Sequence, residues 1–229
     1  MTSQPGTNFF DLYPEFYESG ANGHLSDRLN NRYKAIIDWN RDYIKDAKIL
    51  DIAAHDGRWA FASLMSGAKF CDCIEPREHI IKRGKDIFSK YDMLGSKCIF
   101  HPMQIHEWFY SNNTKEPVYD VAFCLGYLYH TLYHYDLLYK LLSYAKTVII
   151  DTRIIKYQDT VIRVRQENIE SDLSSFSETL VATPSKSAIE VYLSQLNCEW
   201  EYYDWDKSES FSQCGDYKDG NRITMRITK

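Results

Sequence analysis

The sequence predicts a doubly wound α/β fold, a mostly parallel seven-stranded sheet with helices on both faces and an antiparallel C-terminal strand pair. Three observations carry this. Short apolar runs recur along the chain, separated by stretches with helical spacing of apolar residues. The runs show little polar/apolar alternation, as expected of strands covered on both faces. The strand–helix rhythm holds through the first two thirds of the chain and then changes to two strands around a polar loop.

The elements follow in order. Residues 1–25 are rich in aromatics, Gly, Asn and Pro without periodicity, and read as an ordered flap or a frayed end. We place this N-terminal flap or lid at 1–27 and the main domain at 28–229. In residues 28–44, Leu29, Tyr33, Ile36, Ile37 and Tyr43 stand near helical spacing and predict a helix. "KILDIAA" is a strand followed by a helix from about Arg58 to Met65, with Gly67 as its C-terminal stop. "KFCDCIE" leads to a helix over 78–90, and "KCIFHP" to a short helix near 105–110. "YDVAFCLG" leads to a helix over 134–145, and "KTVIID" follows as a strand. Residues 152–182 read as a strand plus an insertion over the site. Thr183 and Pro184 predict an N-cap with Pro at the first helical position, the helix running to Asn197. "EWEYYDW" and "RITMRIT" close the chain as the antiparallel pair.

Composition bounds the function. A chain of 229 residues suits one domain with a substantial core. The 18 tyrosines point to surfaces that are half apolar and half hydrogen-bonding, such as pocket walls. A net charge of -5 argues against a large nucleic-acid footprint, which needs a basic face. Cys71, Cys73 and Cys124 lie inside apolar strands and Cys98 starts another, so buried free thiols are expected. Cys71 and Cys73 share a strand face, but no second Cys/His pair stands at zinc-site spacing, and no metal is expected. The N-terminus has no basic start or apolar segment of a signal peptide, and no apolar run reaches membrane-spanning length; a cytoplasmic, reduced protein without membrane contact is expected. The N-terminal aromatics and the final strand could form a homodimer contact.

The stretch "DIAAHDGRW" is the turn after the first strand, where doubly wound sheets hold ligands. Glu75 ends the second strand, placed to take both hydroxyls of a ribose. Ala53 and His55 stand where a pyrophosphate-binding turn would have glycines, and their β-carbons would crowd a diphosphate. A phosphate-free adenosyl ligand suits such a turn, S-adenosylmethionine above all. His55 and Asp56 tolerate positive φ, so the turn closes without glycine at each position. Asp51 is placed to orient the turn amides or to hold a ligand ammonium through water, although Asp51 and Asp56 equally suit turn and cap roles.

Here the chain resembles a family. "ILDIAAHDGRWAF" and "GAKFCDCIEP" are similar to the first two motifs of class I S-adenosylmethionine-dependent methyltransferases, in the variant whose first motif reads D-x-A-x-x-D-G. "YDVAFCLGYLYHTLYHYDLL", "VIIDT" and "TPSKSAIEVYLSQLNCEWEYYDW" resemble its later motifs, so the resemblance spans roughly 45–205. It implies a Rossmann-like fold and S-adenosyl-L-methionine as cofactor. Asp51, Ala53, His55 and Gly57 would line the methionine end and Glu75 would bind the ribose. Gln104 and Ile105 would flank the adenine, with Gln104 where an acidic residue is commoner. Cys124, Leu125 and Gly126 would meet the cofactor at the end of the fourth strand.

Methyl transfer needs alignment of a nucleophile with the methyl carbon, and a base where the acceptor carries a proton. In "GYLYHTLYHY", His130 is the base candidate, with Tyr129 beside it as a second catalytic candidate. Both belong to the family motif and equally suit packing of the loop. Tyr127, Tyr133 and Arg153 are candidates for holding the acceptor, and Arg153, Arg163 and Arg165 could meet an anion. His134 reads as an early helix residue, and Trp59 and Phe61 as packing. Arg77 reads as a surface residue or a guard at the adenine rim. A small-molecule acceptor is expected. The alternatives are a tRNA-modifying transferase, which the "LGYLYH" and "TPSKSAIE" segments also resemble, and a non-catalytic adenosyl-ligand-binding or scaffold domain.

Overall fold

The computed structural model describes residues 8–18, 25–112, 116–208 and 212–229. Nine strands and eight α-helices are formed among them. The main sheet joins β1 (Lys48–Ile52), β2 (Phe70–Ile74), β3 (Cys98–His101), β4 (Tyr119–Leu125), β5 (Ala145–Arg153), β8 (Glu199–Tyr202) and β9 (Arg222–Thr228) in the order β3-β2-β1-β4-β5-β9-β8. β1 to β5 are parallel, and β9 runs antiparallel between β5 and β8. This is the seven-stranded, mostly parallel sheet expected. The strand order reverses at β1, which pairs with β2 on one side and β4 on the other. A crevice therefore opens where β1 and β4 end.

The strands are apolar because both faces are covered. Ile49, Cys71, Cys73, Phe123 and Ile149 enter one core, with Trp59 and Phe61 of α3 (Arg58–Met65), Phe88 of α4 (Glu78–Lys90) and Leu29 of α1 (Ser26–Tyr33). Their strand neighbours Leu50, Ile52, Cys124 and Ile150 enter the other core. That second core is covered by α5 (Ile105–Ser111), α6 (His134–Tyr144) and α7 (Lys186–Gln195). All six cysteines are buried and free, as expected. Among the described residues no helix is long and apolar enough to cross a membrane.

The helix expected over 28–44 is interrupted. α1 gives way to a π-turn over Lys34–Asp38 and then α2 (Arg41–Ile44). The Asn40 side chain causes the break by donating to the carbonyls of Ala35 and Ile36. Residues 8–18 form two short 3-10 turns whose Phe10 and Phe16 are fully buried against Trp59 and Phe61. Each such side chain contributes roughly 1.5–3 kcal/mol, so this segment is docked onto α3. The rest of the expected flap, 1–7 and 19–24, lies outside the described residues.

The start of α7 corrects the sequence reading. Pro184 ends strand β7 (Leu180–Pro184), and Ser185 is the N-cap, its hydroxyl accepting from the Ala188 amide. Proline keeps Thr183 extended, and at a strand end its missing N–H costs nothing. The Pro184 carbonyl accepts from Ile155 while the Ser185 amide bonds Val161, which holds this stretch in the extended form. β7 pairs antiparallel with β6 (Ile162–Gln166) in a separate hairpin. α8 (Gly215–Lys218) lies in the polar loop before β9.

Candidate functional site

The turn after β1 is wound by three left-handed residues in alternation, Ala53 (φ 49°), His55 (φ 54°) and Gly57 (φ 74°). His55 fits the expectation, but the second strained residue is Ala53 and not Asp56. An alanine there carries roughly 1–2 kcal/mol of strain. Only Gly57 has no steric alternative: a β-carbon would meet Phe100 at 2.7 Å and Phe88 at 3.2 Å. Gly57 thus faces the core and seats α3. Gly84 of α4, which the sequence reading did not single out, passes so close that its β-carbon would lie 2.6 Å from the Asp56 carbonyl.

Around this turn lie two adjoining compartments. The larger, about 440 Å³, takes Asp51, Ala53 and His55 from the turn and Leu125, Gly126, Tyr127, Tyr129 and His130 from the end of β4. Arg153, Arg222, Arg28 and Arg32 close it from β5, β9 and α1, and Arg165 and Glu167 from the hairpin. The smaller, about 50 Å³, is bounded by Ile74, Glu75, Gln104, Ile105 and the hairpin loop at Ser174–Glu178. Ala53, Arg77, Tyr127 and Ser174 line both. Gly57 and Cys124 line neither; Cys124 is wholly buried in the second core. Tyr133 also lies outside both and is 67% exposed.

Asp51 is 1% exposed, and its Oδ2 has no hydrogen-bond partner. Burial, with Asp56 and Glu75 nearby, raises its carboxyl far above the usual range. A cation at Oδ2 would relieve that cost. Asp56 is buried too, which alone would raise its pKa, but the Arg58 guanidinium at 2.8 Å and the neighbouring His55 together hold it well below the usual range. Asp56 therefore serves the turn, as the cap reading expects. His55 lines the larger compartment, with Nδ1 3.5 Å from Asp56 and neither ring nitrogen hydrogen-bonded.

Glu75 is fully buried and already engaged. It accepts from the His55 amide at 3.1 Å and from Arg77 through Nε at 2.6 Å and Nη2 at 3.1 Å. The remaining Arg77 nitrogen donates to the carbonyls of Asp172 and Ser174. Ser177 donates to Gln104 at 2.6 Å. The hairpin loop is thus fastened over the smaller compartment through Arg77 and Gln104. At this volume the compartment holds a few waters. A nucleoside enters only if Arg77 turns off Glu75 and the loop lifts.

On the far side, His130 Nδ1 lies 2.6 Å from Glu167 Oε2. Glu167 also accepts from the Ser175 amide and from Arg165, which together with His130 overcome its burial and lower its pKa. It is therefore an acceptor, and the shared proton sits on Nδ1 of His130. Burial lowers the His130 pKa despite Glu167, which leaves a neutral ring with its lone pair on Nε2. The group can accept a proton from a neighbouring ligand. His134 is the first residue of α6 and bonds the Ala182 carbonyl at 2.9 Å, a structural role. Trp59 and Phe61 pack in the first core, as expected.

Behind the larger compartment, the buried Asp151 accepts from Arg222, Arg32, Tyr217 and Thr224 at 2.6–2.9 Å. Burial would raise its pKa, but Arg222 and Arg32 win and keep it ionised. The sequence reading missed Glu167, Arg28, Arg32 and Arg222. The only available signal was the spacing of Arg28 and Arg32, four apart on one helix face. Glu167 and Arg222 reach the site through long-range pairing that no local pattern reports.

No family model matches this chain, and no curated protein does. Solved structures do. The N-terminal domain of EvdMO1, in the presence of SAH and D-fucose, is 13% identical, with TM-score 0.56, over 88% of this chain and 80% of that one. A candidate S-adenosylmethionine dependent methyltransferase from Listeria monocytogenes is 14% identical, with TM-score 0.56, over 95% and 99%. A candidate RNA methyltransferase, PH1948 from Pyrococcus horikoshii, is 12% identical, with TM-score 0.53, over 87% and 82%. The fold is that of class I methyltransferases. In that methyltransferase fold the strand-order reversal, the turn after β1 and the acid after β2 occupy the crevice just described.

Proposed function

We propose that the protein is an S-adenosylmethionine-dependent methyltransferase acting on a small-molecule acceptor. The observation that carries this is the unpartnered Oδ2 of buried Asp51 at the end of β1, with the strand-terminal acid Glu75 beside it. Asp51 would hold the cofactor's ammonium. Glu75, once Arg77 swings away, would take the ribose hydroxyls. Ile74, Ile105 and Gln104 would bound the adenine, and Leu125 and Gly126 would flank the methionine end. Bound there, the cofactor supplies a methyl carbon whose bond to a cationic sulfur breaks, the electron pair leaving with the sulfur.

The chain's own residues align and deprotonate the acceptor. His130 Nε2 takes the proton as the acceptor heteroatom bonds the methyl carbon, and Glu167 holds the ring in place. Tyr127 and Tyr129 wall the acceptor's place. The docked hairpin walls one side of it through Arg165 and Glu167. The size of the larger compartment, about 440 Å³, suits a small acceptor.

A second reading, a domain without turnover, draws on Arg77, which already fills both oxygens of Glu75. One experiment separates the methyltransferase from a domain whose site Arg77 keeps closed. In calorimetry, S-adenosylmethionine and S-adenosylhomocysteine are expected to bind in the micromolar range, and NAD, as control, not at all. Absence of binding by both adenosyl ligands would remove the methyltransferase reading.

A further inference from the structure

The charge lining the larger compartment is unusual for a site holding only a cofactor that is itself net cationic. Seven arginines line it. Four have a carboxylate each: Arg28 on Asp216, Arg58 on Asp56, Arg77 on Glu75 and Arg165 on Glu167. Arg32 and Arg222 share Asp151. Arg153 has no ion pair among the described residues. Of the acids in the lining, Glu167 is taken as above, Asp172 faces His79 at 2.8 Å, and Asp51 is the buried carboxyl of the turn.

The three arginines without a full counter-charge are gathered at one wall. Arg153 and Arg222 stand directly opposite each other in the β5–β9 ladder, so like charges face across neighbouring strands. Such pairs are destabilising unless something lies between them. What lies there is Tyr129, its ring 5.5 Å from the Arg153 guanidinium and 5.6 Å from that of Arg222. The next residue is His130, its ring 4.3 Å from that of Tyr129. Arg32 has a second mark of an absent partner, a buried Nε with no hydrogen bond.

We propose that the acceptor is an anion, carrying a carboxylate or phosphate that docks on Arg153 with Arg222 behind it, so that its nucleophilic group meets His130. An oxyanion that presents two oxygens to the planar guanidinium fork, carboxylate or phosphate, is the ligand that an unpaired arginine matches best. The same chemistry has a second source, the cofactor's own carboxylate. Arg32 is placed for that one, since its guanidinium lies over Trp59 of α3, 5.0 Å away, beside the turn. Arg153 is the one that flanks Tyr129, next to His130. The word acceptor rests on the methyltransferase reading; the anion site at Arg153 does not.

The test uses inorganic phosphate as the probe, titrated with NMR detection against the whole protein with and without S-adenosylhomocysteine. Millimolar binding is expected in both cases, weakened about tenfold in Arg153→Gln. Arg153→Lys should restore part of it. S-adenosylhomocysteine affinity should be the same in all three proteins. Arg153 is exposed and free of ion pairs, so both variants should fold. Phosphate that displaces S-adenosylhomocysteine, or a loss of that ligand's affinity in Arg153→Gln, would give the charge to the cofactor and overturn the acceptor assignment. Equal phosphate binding by wild type and Arg153→Gln, or none by either, would overturn the site itself. If S-adenosylhomocysteine fails to bind while phosphate binds through Arg153, the methyltransferase reading fails and the anion site stands.

Discussion

Nδ1 of His130 lies 2.6 Å from Oε2 of Glu167, a pairing across 37 residues that joins the loop after β4 to the β6–β7 hairpin. It fixes the tautomer that presents a lone pair on Nε2. Because burial lowers the His130 pKa below its ordinary 6.5, the base form is present at neutral pH and is lost only as pH falls through that lowered value. In Glu167→Gln the ring loses the partner that favoured its charged form, so its titration moves further down. NMR titration of the His130 ring should show both shifts. Turnover in Glu167→Gln should fall about ten- to hundredfold, with the acidic limb of the pH profile displaced downward. An unmoved limb would assign Glu167 to the hairpin's structure alone.

Glu75 and Arg77 form the latch over the smaller compartment. Replacing Glu75 by Ala removes both the ribose acid and the group that holds Arg77. Affinity for S-adenosylhomocysteine should fall about ten- to hundredfold, the worth of a hydrogen bond to a charged group. Unchanged affinity would show that the ribose lies elsewhere. Arg77→Ala acts on the other half of the latch. It frees the loop at Asp172 and Ser174, so limited proteolysis within 167–179 should speed up.

What the sequence shows and what it hides separate along physical lines. The spans of α3 and α4 follow from apolar periodicity and from glycines and polar residues at their ends, all local signals. The turn after β1 and the acid after β2 are likewise local, so Asp51, His55 and Glu75 were legible. The start of α7 was misplaced because Thr183–Pro184 satisfies a cap pattern, while bonds to Ile155 and Val161 decide the extended form. Arg222 and Glu167 were invisible for the same reason: strand pairing and hairpin docking bring them to His130 and Arg153, and neither leaves a mark in nearby residues. Gly57 was read as lining the methionine end, but it lines neither compartment and packs against Phe100 instead, a contact no local pattern reports.

Asp151 is the common counter-charge of Arg32 and Arg222, wholly buried. Asp151→Asn leaves two guanidinium groups without it and should cost about 3–5 kcal/mol in urea denaturation. The pH dependence follows from the direction of its shift. Its folded pKa lies below the unfolded value, so its contribution is complete above the unfolded value and fades as pH falls through the folded one. The wild type should therefore lose stability more steeply than Asp151→Asn as pH drops below about 4. Parallel curves for the two proteins would rule out Asp151 as the group responsible.

Ala53 lies between the two compartments at φ 49°, where a β-carbon is strained. Ala53→Gly removes roughly 1–2 kcal/mol of left-handed strain and adds roughly 0.5–1 kcal/mol of chain entropy, so a gain of about 0.5–1 kcal/mol is expected. Thermal unfolding measures it. Because no hydrogen bond of the turn depends on the methyl group, adenosyl-ligand binding should survive the change. Ala53→Val has the opposite logic. A branched side chain in the left-handed region adds strain and pushes into the join between the compartments. It should lower stability and adenosyl affinity together. If Ala53→Gly instead lowers stability, the left-handed turn is relaxed in solution. The strain assigned to this position would then be absent.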